Sequence, residues 1–244
     1  MCVITVESGD TIDFFVQNRQ SAEITVTIEA DSSDMTPNVS LPYTNTYVGM
    51  ETTKAFSLAK KNTQSEPHYQ YSFAWTWGSM RATHDDTYLY SLPYTPGNAY
   101  RVDQGFNGSY SHYGDFQYAI DWNMPQGTPI HAARDGVVVG IKDTSNEGGP
   151  DRKYQNSANY IMIKHDDGTI GEYAHLQQYG VKVRLGERVQ AGQLIGLSGN
   201  TGYSSGPHLH FFVYKAIDGG RRESFPIQFK NYHVLVAGHT YQAS

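Results

Sequence analysis

The segment GPHLHFFVY at residues 206–214 carries two histidines whose spacing suits metal or acid–base chemistry. Side chains alternate across a β-strand, so His208 and His210 share one face while Leu209 points to the other, toward a core. Two imidazoles held in this way can serve one metal ion, or one can be a ligand and the other an acid or base. Pro207 keeps the entry to the strand extended. The pair therefore predicts a site that needs partners from elsewhere in the chain.

Those partners must come from the other histidines and from carboxylates. The sequence holds ten histidines. His131 is expected to have a structural role, and His165, which ends a strand before a polar turn, is expected to be exposed. Four histidines lie outside any motif and are expected at the surface or at caps: His68, His84, His233 and His239. Two histidines and two nearby carboxylates remain as candidates: His112, His175, Asp115 and Asp121.

A zinc site can be assembled from these candidates. A catalytic zinc typically takes three protein ligands and keeps one position for water. His112, Asp121 and His210 would give a set of two histidines and one carboxylate from separate strands or loops. His175 ends a stretch in which alternate residues share one face, so its ring could reach the same cleft as His208. Two such histidines beside a metal-activated water would suit amide hydrolysis, one taking a proton and the other stabilising an oxyanion.

Composition limits the classes of partner and of site. The chain of 244 residues has a formal net charge of −6. This charge argues against a nucleic-acid partner, because phosphate binding needs a concentrated basic surface. Cys2 is the only cysteine, so an internal disulfide and a thiolate zinc finger are both excluded. Any transition metal must therefore be held by histidine and carboxylate.

The sequence carries no evident membrane span or targeting segment. No run approaches the roughly 18 apolar residues of a membrane span, and no signal peptide is visible at Met1. If the protein is exported, we expect its leader to have been removed. Cys2 beside such a cut could be the remnant of a lipid-attachment site, but an incidental cysteine is the favoured interpretation.

Apolar and polar residues alternate with period two in the N-terminal part of the chain, which predicts β-strands. Strands are expected at 11–16, 24–28, 54–58 and 69–76, with polar turns at 9–10, 31–34 and 62–67. These predict a small β-sandwich-like accessory domain over residues 1–92. Its aromatic residues could bind sugar or a partner, but a packed aromatic core is the favoured interpretation. The run LPYTPG at 92–97 is the expected linker, because two prolines and a glycine stop regular structure.

Short strands punctuated by glycine follow in residues 93–244. They are expected at 136–141, 159–164, 169–174, 193–197 and 208–214. No helical pattern of useful length appears, so the fold class predicted for the whole chain is all-β, with an antiparallel second domain.

Residues 100–224 resemble a known family, the lysostaphin/LytM-type zinc endopeptidases that cut peptide cross-bridges in bacterial cell walls. The resemblance rests on several motifs that occur in order. They are SH at 111–112, AID at 119–121, PQGTPI at 125–130, AARDGVV at 132–138, GEYAHL at 171–176, GQLIG at 192–196, SGNTG at 198–202 and GPHLH at 206–210.

The resemblance implies a metallopeptidase domain with its zinc at the floor of an open groove. Transferred by motif, His112, Asp121 and His210 are the zinc ligands, and His175 and His208 are the catalytic pair. The substrate class implied is peptidoglycan peptides, and the implied location is extracytoplasmic: periplasmic, secreted or associated with the cell wall. We expect a monomer.

One feature departs from the common family pattern, in which three residues separate the first histidine from the aspartate. Here eight residues intervene between His112 and Asp121. Asp115 is the competing ligand, but its spacing does not match the pattern either. Asp121 is favoured because the PQGTP run that follows it fits the family's context, and the extra residues are expected to form a loop beside the groove.

Two other functions compete with the enzyme. Some members of the family have lost ligands and regulate other wall hydrolases instead, but here every ligand position is filled, which favours the enzyme. The third candidate is a wall-binding protein in which the N-terminal domain dominates and the metal site is residual.

Overall fold

In a computed structural model of the chain, the described residues are 1–62 and 66–244. They form two compact units, one of residues 1–82 with 215–222 and the other of residues 83–214 with 223–244. Strands account for nearly all of the regular structure. Within the described ranges, helix is confined to two short 3-10 segments, Gly114–Phe116 and Arg152–Ser157. The predicted all-β fold class is therefore confirmed.

The first unit is a β-sandwich of two antiparallel sheets. Its strands are β1 (Cys2–Ser8), β2 (Thr11–Asn18), β3 (Ile24–Asp31), β4 (Met35–Pro37), β5 (Tyr43–Tyr47), β6 (Glu51–Lys60) and β7 (Gln70–Trp77). One sheet has the order β1-β2-β6-β4 and the other β5-β3-β7. Apolar side chains from both sheets share one core, in which Phe14 and Phe56 stack at 4.5 Å between ring centroids. The predicted turn at 62–67 includes residues 63–65, which lie outside the described residues.

The second unit is organised around a large sheet. Its strands are β8 (Leu89–Tyr90), β9 (Ala99–Gln104), β10 (Ile120–Asn123), β11 (Pro129–His131), β12 (Gly136–Lys142), β13 (Gly148–Gly149), β14 (Tyr160–Lys164), β15 (Ile170–Ala174), β16 (Arg188–Val189), β17 (Leu194–Leu197), β18 (Gly202–Tyr203), β19 (His208–Ala216), β20 (Arg222–Ser224), β21 (Gln228–Phe229) and β22 (Thr240–Gln242). The large sheet has the order β16-β12-β14-β15-β19-β10-β9-β22, with β20 beside β19. Three two-stranded sheets complete the unit: β11-β17, β13-β18 and β21-β8.

Strand β19 lies near the middle of this sheet, between β15 and β10. Leu209 and Phe211 are fully buried in the core of the unit, where Phe211 lies 4.6 Å from Tyr173 between ring centroids. Their neighbours His208 and His210 face the other side of the sheet, because successive side chains of a strand alternate. The alternation predicted for this strand is confirmed.

The predicted linker at 92–97 is packed into the second unit. Leu92 and Tyr94 are buried in its core, and the Tyr94 hydroxyl donates to the Tyr241 carbonyl at 2.7 Å. The backbone N–H of His131 donates to the Pro93 carbonyl at 3.1 Å. Proline and glycine indicate irregular backbone, but they do not reveal whether that backbone is exposed or packed. The division between residues 82 and 83 differs from the predicted domain limits of 1–92 and 93–244, which rested on composition.

Candidate metal centre

A row of side chains crosses three neighbouring strands on the face of the sheet opposite the core. Asp121 on β10 lies directly opposite His210 on β19, and on its other side it lies opposite Gln104 on β9. Asn123, two residues further along β10, lies opposite His208. Directly opposite residues of antiparallel strands point to the same face. The sheet itself therefore places one carboxylate between a histidine and an amide.

His112 joins this row from the loop that follows β9. One ligand atom each from His112, Asp121 and His210 lies within 4.8 Å of the other two, and all three residues are buried. His112 Nε2 lies 3.1 Å from Asp121 Oδ2, and His210 Nδ1 lies 2.7 Å from Asp121 Oδ1. The three residues predicted as ligands are thus brought together, although they are far apart in sequence.

The donor atoms of this group fit a metal cation. His112 Nδ1 lies 2.9 Å from the Gly105 carbonyl oxygen, and since a carbonyl only accepts, Nδ1 carries the proton. Nε2 of the neutral ring is then a bare lone pair; it is buried and has no hydrogen-bond partner, although it faces a carboxylate oxygen. A lone pair and a carboxylate oxygen 3.1 Å apart repel each other unless a proton or a metal cation lies between them. A bound imidazole whose other nitrogen donates to a carbonyl is the usual arrangement at zinc.

Asp121 is ionised in this environment. Burial raises the pKa of its carboxyl group, but His210, His112 and His208 together outweigh burial and hold that pKa well below its usual range. A carboxylate can therefore serve as the third ligand over the whole physiological pH range.

A second pair of histidines borders the group. The rings of His175 and His208 lie 4.5 Å apart between centroids, and His208 Nε2 lies 3.8 Å from Asp121 Oδ1. His175 Nδ1–H donates to the Thr201 carbonyl at 2.6 Å, and His208 Nδ1–H donates to the Gly206 carbonyl at 2.8 Å. When such a ring carries its proton only on Nδ1, its Nε2 is left as an acceptor. Burial, with added repulsion from His208 and His210, lowers the pKa of His175 to about 3, so this ring is neutral at pH 7.

The backbone of His175 is strained. Its φ is 63°, in the left-handed region that residues with a Cβ rarely adopt. The residue follows the last residue of β15 and turns the chain so that its ring lies beside β19. Strain of this kind persists where the surrounding contacts over-determine the conformation, and such places cluster at functional sites.

Other candidates lie outside the group. Asp115 is in the 3-10 segment Gly114–Phe116 and is not one of the three clustered residues. His131 donates from Nδ1 to the Gly192 carbonyl at 2.7 Å, in keeping with the structural role predicted for it. Sequence reasoning missed Gln104, which contacts Asp121, and Ser204, whose hydroxyl lies 3.1 Å from His208 Nδ1. Neither residue belongs to a pattern that indicates its role before the fold is known.

The prediction that His165 is exposed is wrong. The residue is buried, with 2% of its surface exposed, and its Nδ1–H donates to the Asp135 carbonyl at 2.8 Å. Nε2 packs over the backbone of Gly171, where an added Cβ would lie 3.0 Å from it, and has no hydrogen-bond partner. Burial lowers the pKa of His165 to about 4.

We expect this buried histidine to make the protein less stable in acid. Between pH 6.5 and about 4 the unfolded chain takes up a proton at His165 and the folded chain does not, so the free energy of unfolding falls as the pH falls. The full effect is on the order of 3 kcal/mol. Urea unfolding of the wild type and of His165→Gln across this range is the measurement, and the variant should show the shallower pH dependence. Equal slopes would contradict the prediction.

Comparison with known proteins finds a matching family over the part of the chain that includes Asp121, His175, His208 and His210. The model of "Peptidase family M23" matches residues 115–223. The chain is 44% identical over 108 residues to the glycyl-glycine endopeptidase ALE-1 of Staphylococcus capitis, covering 44% of this chain and 25% of that protein. It is 41% identical over 91 residues to the peptidoglycan DD-endopeptidase ShyA of Vibrio cholerae, covering 37% and 18%. These matches span a quarter or less of either relative.

One solved structure is also similar to part of the chain. The catalytic domain of the antimicrobial peptidase lysostaphin from Staphylococcus simulans is 32% identical, with 56% of this chain and 88% of that domain covered and a TM-score of 0.36. Residues 115–223 are therefore similar to peptidase family M23. Within the described ranges, no helix has the length and apolar character needed to cross a membrane.

Proposed function

We propose that the protein is a zinc-dependent endopeptidase that hydrolyses amide bonds in peptidoglycan stem or cross-bridge peptides. The observation that carries this proposal is the buried group of His112, Asp121 and His210, in which His112 Nε2 faces a carboxylate oxygen without a hydrogen-bond partner. The name of ShyA, a peptidoglycan DD-endopeptidase, supports peptidoglycan as the substrate, and the name of ALE-1, a glycyl-glycine endopeptidase, supports a peptide bond as the target. Since this substrate lies outside the cytoplasm, we assign the protein an extracytoplasmic location.

In this proposal His112, Asp121 and His210 hold the ion. A bound zinc supplies Lewis acidity, which makes water a stronger acid and polarises a carbonyl oxygen. The choice of zinc follows from the donor set, because two imidazoles and one carboxylate, with no thiolate, are typical of catalytic zinc in hydrolases.

His175 and His208 move the protons. Each ring is fixed by a bond from Nδ1–H to a backbone carbonyl, so its Nε2 faces the site as an acceptor. Nε2 of His175, left as an acceptor by the bond from Nδ1–H to the Thr201 carbonyl, is placed to take a proton from the attacking water and to pass it to the leaving amine. Nε2 of His208 lies 3.8 Å from Asp121 Oδ1. When the His208 ring is protonated, it can stabilise the oxyanion that forms at the substrate carbonyl.

Digestion of purified sacculi tests the function. We expect the full chain to contain about one zinc ion and to release fragments from at least one of two wall types, those cross-linked through glycine bridges and those cross-linked directly through D-amino acids. Mass spectrometry of the fragments identifies the bond that is cut. Chelator should abolish release and added zinc should restore it. Release that persists in excess chelator would rule out the metal mechanism, and enhancement of another hydrolase without any release by this chain would favour the regulator.

A further inference from the structure

A β-bulge in β9 determines which face of the sheet the side chain of Gln104 lies on. Asp121 pairs with Gln104, but the next residue of β10, Trp122, pairs with Val102, so Asp103 is an extra residue in β9. In a regular strand Val102 and Gln104 would point to the same face. The bulge instead leaves Val102 buried in the core beside Trp122 and turns Gln104 to the face of Asp121. Bulges of this kind often re-aim a side chain next to an active site.

Every hydrogen-bonding position of the Gln104 amide is used. Nε2 donates to Asp121 Oδ2 at 3.0 Å and to Ser111 Oγ at 2.8 Å. Oε1 accepts from the backbone N–H groups of Tyr110 at 3.0 Å and Ser111 at 3.1 Å. The two N–H donors fix which end of the amide is oxygen, so the other end must present its N–H to the carboxylate.

The loop that carries His112 is built around this side chain. A Cβ added at Gly108 would lie 2.2 Å from Gln104 Cγ, and all three of its nearest atoms belong to the Gln104 side chain. The backbone N–H of His112 donates to the Gly108 carbonyl at 3.0 Å, and its ring donates to the Gly105 carbonyl. Gln104 therefore contacts the carboxylate of Asp121 directly and the backbone that orients His112.

From these contacts we propose that Gln104 is a positioning residue for the metal centre: it fixes the Asp121 carboxylate and the His112 loop in register with His210. This inference rests on the proposed function. A carboxylate with one oxygen held by a donor cannot rotate freely, and a loop held at two N–H groups keeps the imidazole at a set distance. Loss of a hydrogen bond that orients a metal ligand typically weakens metal binding 10- to 100-fold.

Zinc affinity of the full chain tests the inference. Gln104→Met keeps the length and the packing of the side chain and removes all four hydrogen bonds. We expect its zinc dissociation constant, measured by competition with a chromogenic chelator, to rise about 10- to 100-fold. Gln193→Met is the matched control. Gln193 is also half buried and also bridges a loop, with Nε2 donating to Glu187 Oε1 at 3.0 Å and Oε1 accepting from Gln190 N at 3.2 Å.

The unfolding free energy of the metal-free proteins separates positioning from general stability. We expect both variants to lose similar stability and only Gln104→Met to lose zinc affinity. If Gln104→Met does not fold, Gly108→Ala replaces it, because an alanine there displaces the Gln104 side chain without removing a polar group. Equal zinc affinity in the wild type and the Gln104 or Gly108 variant would overturn this inference alone. A wild type that binds no zinc would overturn the proposed function and this inference with it.

Discussion

His210→Ala is expected to abolish zinc binding and hydrolysis together, whereas His208→Ala is expected to leave zinc bound and to slow hydrolysis. The two residues lie on one face of β19, two positions apart. His210 Nδ1 is 2.7 Å from Asp121 Oδ1, but His208 Nε2 is 3.8 Å from the same oxygen and its other nitrogen is held by the Gly206 carbonyl. Loss of one of three ligands should weaken binding by more than the 10- to 100-fold expected for loss of a supporting hydrogen bond.

Zinc content of the purified variants and their rate on muropeptides are the measurements. Asp115→Asn is a useful control, because Asp115 competes with Asp121 in the sequence but lies outside the clustered group. It should retain zinc, and Asp121→Asn should lose it. Equal zinc loss in His208→Ala and His210→Ala would contradict the division of roles between the two histidines.

The alternation of apolar and polar residues and the order of the motifs were enough to predict much of the fold. The strands expected at 24–28, 136–141 and 208–214 are present, because each alternates or runs apolar where it meets a core. Strand β1 (Cys2–Ser8) was not predicted, although it pairs with β2 along its whole length. Its alternation is weak because most of its side chains are exposed or half buried. An edge strand of this kind is held mainly by backbone hydrogen bonds, and these do not require particular residue types that a sequence pattern could reveal.

The sequence did not predict the burial of His165 or the face of the sheet on which Gln104 lies. His165 precedes a polar turn, which is typical of an exposed residue, yet it lies over Gly171, where the absence of a side chain makes room for its ring. Regular alternation along β9 would place Gln104 on the core face with Val102. Only the bulge in β9 turns Gln104 to the face of Asp121. In both cases the deciding contact is made with a neighbouring strand, and the alternation of residues within one strand does not encode it.

The group of three, in contrast, followed from the resemblance of the motifs to the lysostaphin/LytM-type family. Histidine and aspartate in a specific order of motifs indicated His112, Asp121 and His210, and the sheet register then placed Asp121 opposite His210. The eight residues between His112 and Asp121 contain the 3-10 segment Gly114–Phe116, where Phe116 packs edge-on against His210 at 5.5 Å between ring centroids. The eight intervening residues thus pack against the candidate ligand His210.

His175→Ala is expected to retain zinc while the rate of hydrolysis falls by about 10²- to 10⁴-fold, the range typical of lost general acid–base help. His175 contributes no atom to the clustered group, but its ring lies 4.5 Å from that of His208, and Nδ1–H is held by the Thr201 carbonyl. Removing the ring therefore removes the proton acceptor and leaves the ligands in place. Zinc content and kcat on a purified muropeptide, measured on the same preparation, are the two readouts.

Two further variants separate the chemistry of His175 from its backbone strain. His175→Asn keeps a residue that tolerates the left-handed backbone, so it should fold at least as well as the alanine variant and be as slow. His131→Ala removes a ring outside the site, where Nδ1–H donates to the Gly192 carbonyl, and should retain both zinc and rate. If His175→Ala hydrolysed substrate at the wild-type rate with zinc bound, the proton would have to pass through His208 alone. If it lost zinc as His210→Ala does, the ring would be needed to hold the metal centre together.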